Sequence, residues 1–270
     1  MSKLVPRPVT PLGILVEKLE TALMMAREAL VATPVIKQLE TALLLAAGID
    51  PYIENCTTTQ SPALREIALS TQAEKWSEKF NDGATGRELE QEMLSGHLEG
   101  QALKMFVYMS RAQSILDIGM FTGYSALAMA EALPENGRLV ACEVDAYVAK
   151  FAQKLFESSP HGAKIEVEVG GALETLDKLA AKGECFDLAF IDADKEEYVE
   201  YYKKLLDSNL LAPQGFICVD NTLLQGQPYL SEQSANGKAI AEFNQIVAED
   251  PRTEQVLLPI RDGLTIIRRV

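Results

Sequence analysis

Two short polar runs, each placed directly behind an apolar one, carry the most reactive groups of the chain. Phe186-Asp187-Leu188-Ala189-Phe190-Ile191 runs into Asp192-Ala193-Asp194-Lys195, and Gly215-Phe216-Ile217-Cys218-Val219 runs into Asp220-Asn221. Both apolar runs read as buried strands, and the segment between them, from about Glu196 to Leu211, reads as a helix. Strand, helix, strand is a βαβ unit, whose handedness makes the strands parallel and neighbours at ~4.8 Å. Asp192 and Asp220 then leave the sheet side by side. The carboxyl ends of strands are where an open α/β sheet takes its ligands, so two carboxylates and an amide converge where chemistry is expected.

A second constellation is the loop Leu116-Asp117-Ile118-Gly119-Met120-Phe121-Thr122-Gly123-Tyr124-Ser125, which joins an earlier strand to its helix. It is not the dinucleotide fingerprint, because Phe121 stands where the second glycine of G-x-G-x-x-G lets a pyrophosphate approach. That argues against a nucleotide-dependent dehydrogenase. Gly119 and Gly123 still permit close backbone approach, Thr122 and Ser125 offer hydroxyls, and the start of the helix favours a carboxylate. Asp117 can pair with an ammonium. A carboxylate and an ammonium together are the amino-acid end of S-adenosylmethionine, and Glu143 closes the next strand where an acidic residue binds ribose hydroxyls.

The elements that must hold these groups follow from the pattern along the chain. From Gln113 onward strands at 114–118, 138–143, 164–169, 186–191 and 215–219 alternate with helices at 122–133, 145–158, 173–181 and 196–211. After a polar loop, a helix from about 237 to 250 precedes a hairpin of strands 256–260 and 264–269. The fold expected is α/β, a doubly wound Rossmann-like sheet of seven strands with the last antiparallel. In front of it lie helices at 12–30, 34–48, 61–80 and 87–110. No Gly/Ser or Pro-rich linker divides them from the rest, so residues 1–86 read as an N-terminal α-helical extension and 87–270 as the chemical domain. Leu19-Glu20-Thr21-Ala22-Leu23 recurs as Leu39-Glu40-Thr41-Ala42-Leu43, which makes a helical hairpin rather than a solenoid.

Composition narrows the function. The 270 residues are 47% hydrophobic with a formal net charge of −14, and nucleic acid is an unsuitable partner because phosphate binding draws on clustered Lys and Arg. There is no run of ~18 apolar residues for a membrane span and no basic-then-apolar leader in Met1–Thr10, so the expected location is cytoplasmic. Four cysteines, Cys56, Cys142, Cys185 and Cys218, show no C-x-x-C spacing and read as reduced thiols, Cys185 and Cys218 lying in core strands. His97 and His161 have no Ser or Cys with an acid at triad spacing and are left without a role.

Asp117 to Ser125, Asp192-Ala193-Asp194-Lys195 and Asp220-Asn221-Thr222-Leu223, in that order, resemble the cation-dependent, caffeoyl-CoA type O-methyltransferases, a likeness that covers residues 87–270. With the N-terminal extension the whole chain is similar to the O-methyltransferases of mycosporine biosynthesis, which make 4-deoxygadusol. The resemblance implies a metal held by Asp192, Asp220 and Asn221. It implies S-adenosylmethionine held by Met93, Ser95, Asp117, Gly119, Met120, Ser125, Glu143, Ala172 and Asp194. It places Lys195 at the catalytic base, beside Asp192 and Asn221, and Gln225 at a substrate position. A homodimer is implied as well. Two carboxylates and one amide, without His or Cys, suit Mg²⁺, Mn²⁺ or Ca²⁺ rather than zinc. The family's Asp-Asn-x-Leu-Trp reads Asp220-Asn221-Thr222-Leu223-Leu224 here, so an aromatic wall is missing and a small alicyclic ring suits the site better than a planar hydroxycinnamoyl group. A non-catalytic methyltransferase-like binding module is the rival reading, and the retained ligands and Lys195 argue against it.

Overall fold

A computed structural model describes residues 8–270. Most of the stretch searched for a leader, Met1–Thr10, lies outside them. One sheet of seven strands organises the rest, in the order β3-β2-β1-β4-β5-β7-β6. β1 (Ser114–Ile118), β2 (Arg138–Glu143), β3 (Ile165–Val169), β4 (Phe186–Ile191) and β5 (Leu211–Val219) are mutually parallel. β7 (Leu264–Arg269) runs antiparallel between β5 and β6 (Thr253–Leu258). β1, β4 and the second half of β5 are largely apolar because helices cover both faces of the sheet, as a parallel sheet requires; β5 begins at Leu211, four residues before the strand expected at 215, and the helix ahead of it ends at Asp207. β4 and β5 pair with Ile191 opposite Val219, so Asp192 and Asp220 leave adjacent strand ends at the same level.

Two cores flank the sheet. On one face α10 (Tyr198–Asp207) and α11 (Ala235–Glu249) pack Tyr198, Tyr202 and Phe243 against Ile191, Ile217 and Val219. On the other, α6 (Gly96–Ser110), α7 (Tyr124–Ala132) and α8 (Ala146–Phe156) bury Leu103, Val107, Leu127 and Phe156. α9 (Ala172–Ala181) links β3 to β4. The crossover helices begin as their sequences direct: Asp145 caps α8 through its carboxylate, and Ser234 caps α11 through its hydroxyl.

The N-terminal region departs from expectation in three places. α1 (Pro11–Glu28) and α2 (Thr33–Ala47) form the hairpin that the repeat implies, and Thr21 and Thr41 make the same back-bond to the carbonyl four residues earlier. α2 ends at its cap Gly48 as expected, but a short unexpected α3 (Ile49–Cys56) follows at once, since Pro51 fits the first turn of a helix. The single helix expected over 61–80 is two, α4 (Pro62–Ala73) and α5 (Trp76–Asn81). The indole of Trp76 turns back, donates to Thr71 O at 2.9 Å and packs on Phe121 and Phe151, which breaks the axis. The helix expected from residue 87 begins at Gly96, behind a 3₁₀ turn at Gln91–Met93. Gly96 has φ +75, and a Cβ there would lie 2.5 Å from Arg261 Nη1.

Two smaller corrections concern strands. Cys185 is exposed, one residue ahead of β4, whereas Cys142 and Cys218 are buried. β6 starts three residues earlier than its apolar content suggests, because the hairpin register opposite β7 extends its ladder through Thr253. No helix among the described residues is long and apolar enough to cross a membrane.

Candidate functional site

A cavity of about 750 Å³ opens at the carboxyl ends of β1, β2, β4 and β5. Its centre is a contact between the two constellations singled out above. Asp192 N donates to Ile118 O at 2.9 Å, and a Cβ on Gly119, which has φ +95, would lie 2.1 Å from Asp192 O. Only glycine fits there, so the loop after β1 and the acidic run after β4 form one surface.

On the β1–β2 side the loop is fixed by a carboxylate. Glu143, at 6% exposure, accepts from Phe121 N and Asp145 N, both at 2.9 Å, while Gly119 N and Met120 N reach Cys142 O. Burial raises the Glu143 carboxyl above its ordinary range, and the two backbone donors oppose that rise. Glu143 is therefore not a solvated strand end. Asp117 is fully buried; Ser125 Oγ donates to its Oδ2 at 2.8 Å, whereas its Oδ1 has no partner among the described residues. Desolvation pushes its carboxyl to about 7. A buried carboxylate with a free oxygen suits an ammonium, as the reading of this loop requires. Ala172, Met93 and Asp194 line the same cavity, Asp194 also capping the turn at Lys195–Glu197 through its Oδ1. Ser95 and Met120 are buried behind it.

On the β4–β5 side the polar groups are crowded. Lys195 Nζ donates to Asp192 Oδ1 at 2.9 Å, to Ala193 O at 3.1 Å and to Tyr198 Oη at 2.8 Å, which engages all three of its N–H bonds. Tyr198 is fully buried and donates onward to Asp220 O at 3.3 Å. Asp220 accepts from Asn221 N at 2.6 Å and from Asn221 Nδ2 at 3.1 Å. Asn221 itself lines the cavity. Burial and the neighbouring Asp192 push the Asp220 carboxyl to about 7. Crowding of this kind is what a bound cation relieves, and the donors are all oxygen, the type that suits Mg²⁺, Mn²⁺ or Ca²⁺. Among the described residues no three His, Cys, Asp or Glu side chains are grouped so as to hold an ion by themselves.

Four residues of this region had no signal in the sequence. Glu99, from the first turn of α6, and Arg261, from the β6–β7 turn, both face Asp220; Tyr198 bridges Lys195 to the β5 end; Asp262 accepts from Gln225 N at 2.6 Å. Gln225 lines the cavity on a wall formed by the 3₁₀ turn Leu224–Tyr229. Five of the cavity's residues hold a left-handed backbone without being glycine: Phe121, Asn221, Leu224, Gln225 and Arg261, with φ between +34 and +60. Such strain gathers where surrounding structure over-determines a functional geometry. His97 lies outside the cavity and bonds to Thr58 O at 2.7 Å.

Comparison with known proteins bears on this geometry. A family model described as O-methyltransferase matches residues 69–270. The chain is 39% identical over 176 residues to the catechol O-methyltransferase domain-containing protein 1 of Mus musculus, a match spanning 64% of this chain and 66% of that protein. It is 36% identical over 182 residues to the caffeoyl-CoA O-methyltransferase of Petroselinum crispum, spanning 64% and 75%. Among solved structures, the S-adenosylhomocysteine-bound methyltransferase PaMTH1 of Podospora anserina superposes with a TM-score of 0.71 at 27% identity, covering 84% of this chain and 95% of that one. The O-methyltransferase TomG of Streptomyces achromogenes, in complex with S-adenosylmethionine, superposes with a TM-score of 0.69 at 25% identity, covering 83% and 96%.

Proposed function

Because the chain belongs to the O-methyltransferase family and is an S-adenosylmethionine-dependent enzyme of the caffeoyl-CoA type, we propose that it methylates one hydroxyl of a small substrate presenting two adjacent oxygens. The observation that carries this reading is the contact of Gly119 with Asp192 O, which sets the cofactor loop against the acidic run. In this reading Asp192, Asp220 and Asn221 hold a divalent cation, and Met93, Ser95, Asp117, Gly119, Met120, Ser125, Glu143, Ala172 and Asp194 hold S-adenosylmethionine. When bound, the cation eases ionisation of a coordinated hydroxyl and the sulfonium supplies the methyl group. Asp117 offers its free Oδ1 to the cofactor's ammonium. Lys195, once its ammonium has lost one proton to solvent, takes the proton of the substrate hydroxyl at the freed Nζ lone pair, and Asp192 and Tyr198 keep that nitrogen in place. Gln225 and Leu224 face the substrate.

For the substrate we favour demethyl-4-deoxygadusol, the 4-deoxygadusol precursor in mycosporine biosynthesis. Leu224 where the family has an aromatic wall, and the N-terminal helices ahead of residue 87, support that choice. A catechol or caffeoyl-type acceptor is the alternative, favoured by the names of the relatives. Protein supplied with Mg²⁺ and labelled S-adenosylmethionine should transfer label fastest to the alicyclic acceptor in a panel that includes catechol and caffeoyl-CoA. Faster transfer to the aromatic acceptors would decide for the alternative. No transfer to any of them would refute the substrate class.

Two further expectations follow from the same reading. Glu143→Ala should weaken S-adenosylmethionine by about 1–3 kcal/mol, since it removes the charged acceptor of the ribose and leaves the Phe121 and Asp145 N–H groups unpaired. An unchanged dissociation constant in calorimetry would confine Glu143 to bracing the loop. The hairpin of α1 and α2 leaves Leu30, Leu44 and Leu45 at 90%, 76% and 74% exposure, an apolar face that suits a second copy of the chain. Sedimentation should then report a homodimer that becomes monomeric once residues 1–50 are removed. A monomeric full-length chain would refute it.

A further inference from the structure

The reading above gives Glu99 no work. Its side chain is 1% exposed, and neither carboxyl oxygen has a hydrogen-bond partner among the described residues. Asp220 is beside it and Asp192 close by; burial and these two charges raise the Glu99 carboxyl well above its ordinary range, and Arg261 opposes them. Packing does not ask for an acid at this point, since Gly100, Leu103 and Val107 of the same helix are core positions. A buried carboxyl with both oxygens free is costly, and it persists where a bound group uses those oxygens.

We propose that Glu99 is a further acidic group of the cation site, engaging the ion through an intervening water. The inference rests on the divalent-cation reading given above. Direct ligation by three acids does not fit, because no three acidic side chains among the described residues are close enough to share one ion. An outer partner does fit, and groups in that position set affinity as well as orientation.

The test is Mn²⁺ binding, followed by electron paramagnetic resonance with S-adenosylmethionine present, in the wild type and in Glu99→Gln. Glutamine keeps the size but carries no charge. The variant should bind Mn²⁺ about 10–100-fold more weakly, with S-adenosylmethionine affinity in metal-free buffer within twofold of wild type. Its metal-free melting temperature should stay close to that of the wild type, because glutamine keeps the size of the side chain, while the rise on adding Mn²⁺ should shrink. Equal Mn²⁺ affinity would overturn the proposal and leave Glu99 a structural neighbour of Asp220. Should the glutamine variant not fold, Glu99→Asp, whose charge is withdrawn by one methylene, must also lose affinity; wild-type affinity there overturns the proposal equally. Failure of the wild type to bind Mn²⁺ would instead refute the cation reading, a result that no Glu99 variant can mimic.

Discussion

In excess EDTA methyl transfer is expected to fall to background, and added Mg²⁺ or Mn²⁺ to restore it. The expectation comes from the cost of the site as it stands. Asp220 is buried beside Asp192 and Glu99, and the cations within reach of these three are Lys195 and Arg261. Lys195 is committed to Asp192, and Arg261 Nη1 is committed to Leu94 O at 3.0 Å. Without a further positive charge the substrate's hydroxyl would lose its proton into a field of carboxylates, which opposes the oxyanion. A bound divalent cation would reverse the sign of that field at the reacting atom, an effect large enough to separate turnover from none. Full activity in chelator would remove the cation from the account and return Asp192 and Asp220 to structural duty. Zn²⁺ is expected to restore less than Mg²⁺, for want of a His or Cys donor.

Lys195 carries the other large effect. Lys195→Ala should lower kcat by roughly 10²–10⁴-fold, the usual worth of a positioned general base, with S-adenosylmethionine affinity retained. Lys195→Arg should be nearly as slow: a guanidinium preserves the charge beside Asp192 but does not give up its proton at accessible pH. The two variants together separate proton transfer from electrostatic clamping. Near wild-type kcat with Arg at 195 would rule out Lys195 as base and leave ionisation of the hydroxyl to the metal alone. Tyr198→Phe offers a graded check, because it removes one of the three acceptors that position Nζ and leaves the nitrogen in place.

The parts of this site that could be read from residues alone are those whose chemistry interrupts a pattern. Asp192, Asp220 and Asn221 stand where apolar strands stop, and a βαβ unit allows one handedness, so their convergence followed from order along the chain. Phe121 at a glycine position announced an unusual loop, and its left-handed backbone is the structural form of that signal. Glu99 and Arg261 gave no such sign. Glu99 is one polar residue among several on a helix, and nothing local distinguishes the face that meets the sheet from the face that meets water. Arg261 sits in a hairpin turn, where charged residues are ordinary. Their meeting with Asp220 depends on α6 and the β6–β7 turn closing over the same strand end, a contact between positions more than 160 residues apart. The break between α4 and α5 was hidden for a related reason: helical periodicity continues through it, and the cause is Trp76 packing on Phe121 far along the chain.

The five left-handed residues around the cavity set stability and turnover against each other in any laboratory evolution of this enzyme. Glycine relaxes such a backbone at little steric cost, so at Phe121, Leu224, Gln225 and Arg261 it offers a route to heat resistance of up to about 1–2 kcal/mol each, offset in part by unfolded-state entropy. Asn221 gains less, since asparagine tolerates that conformation. Each exchange also erases a side chain that walls the cavity. A library ranked by residual fold after heating would therefore enrich glycine at these positions and fill with well-folded, slow catalysts, whereas one ranked by product would hold the strained residues and seek its stability elsewhere, in the exposed N-terminal helices.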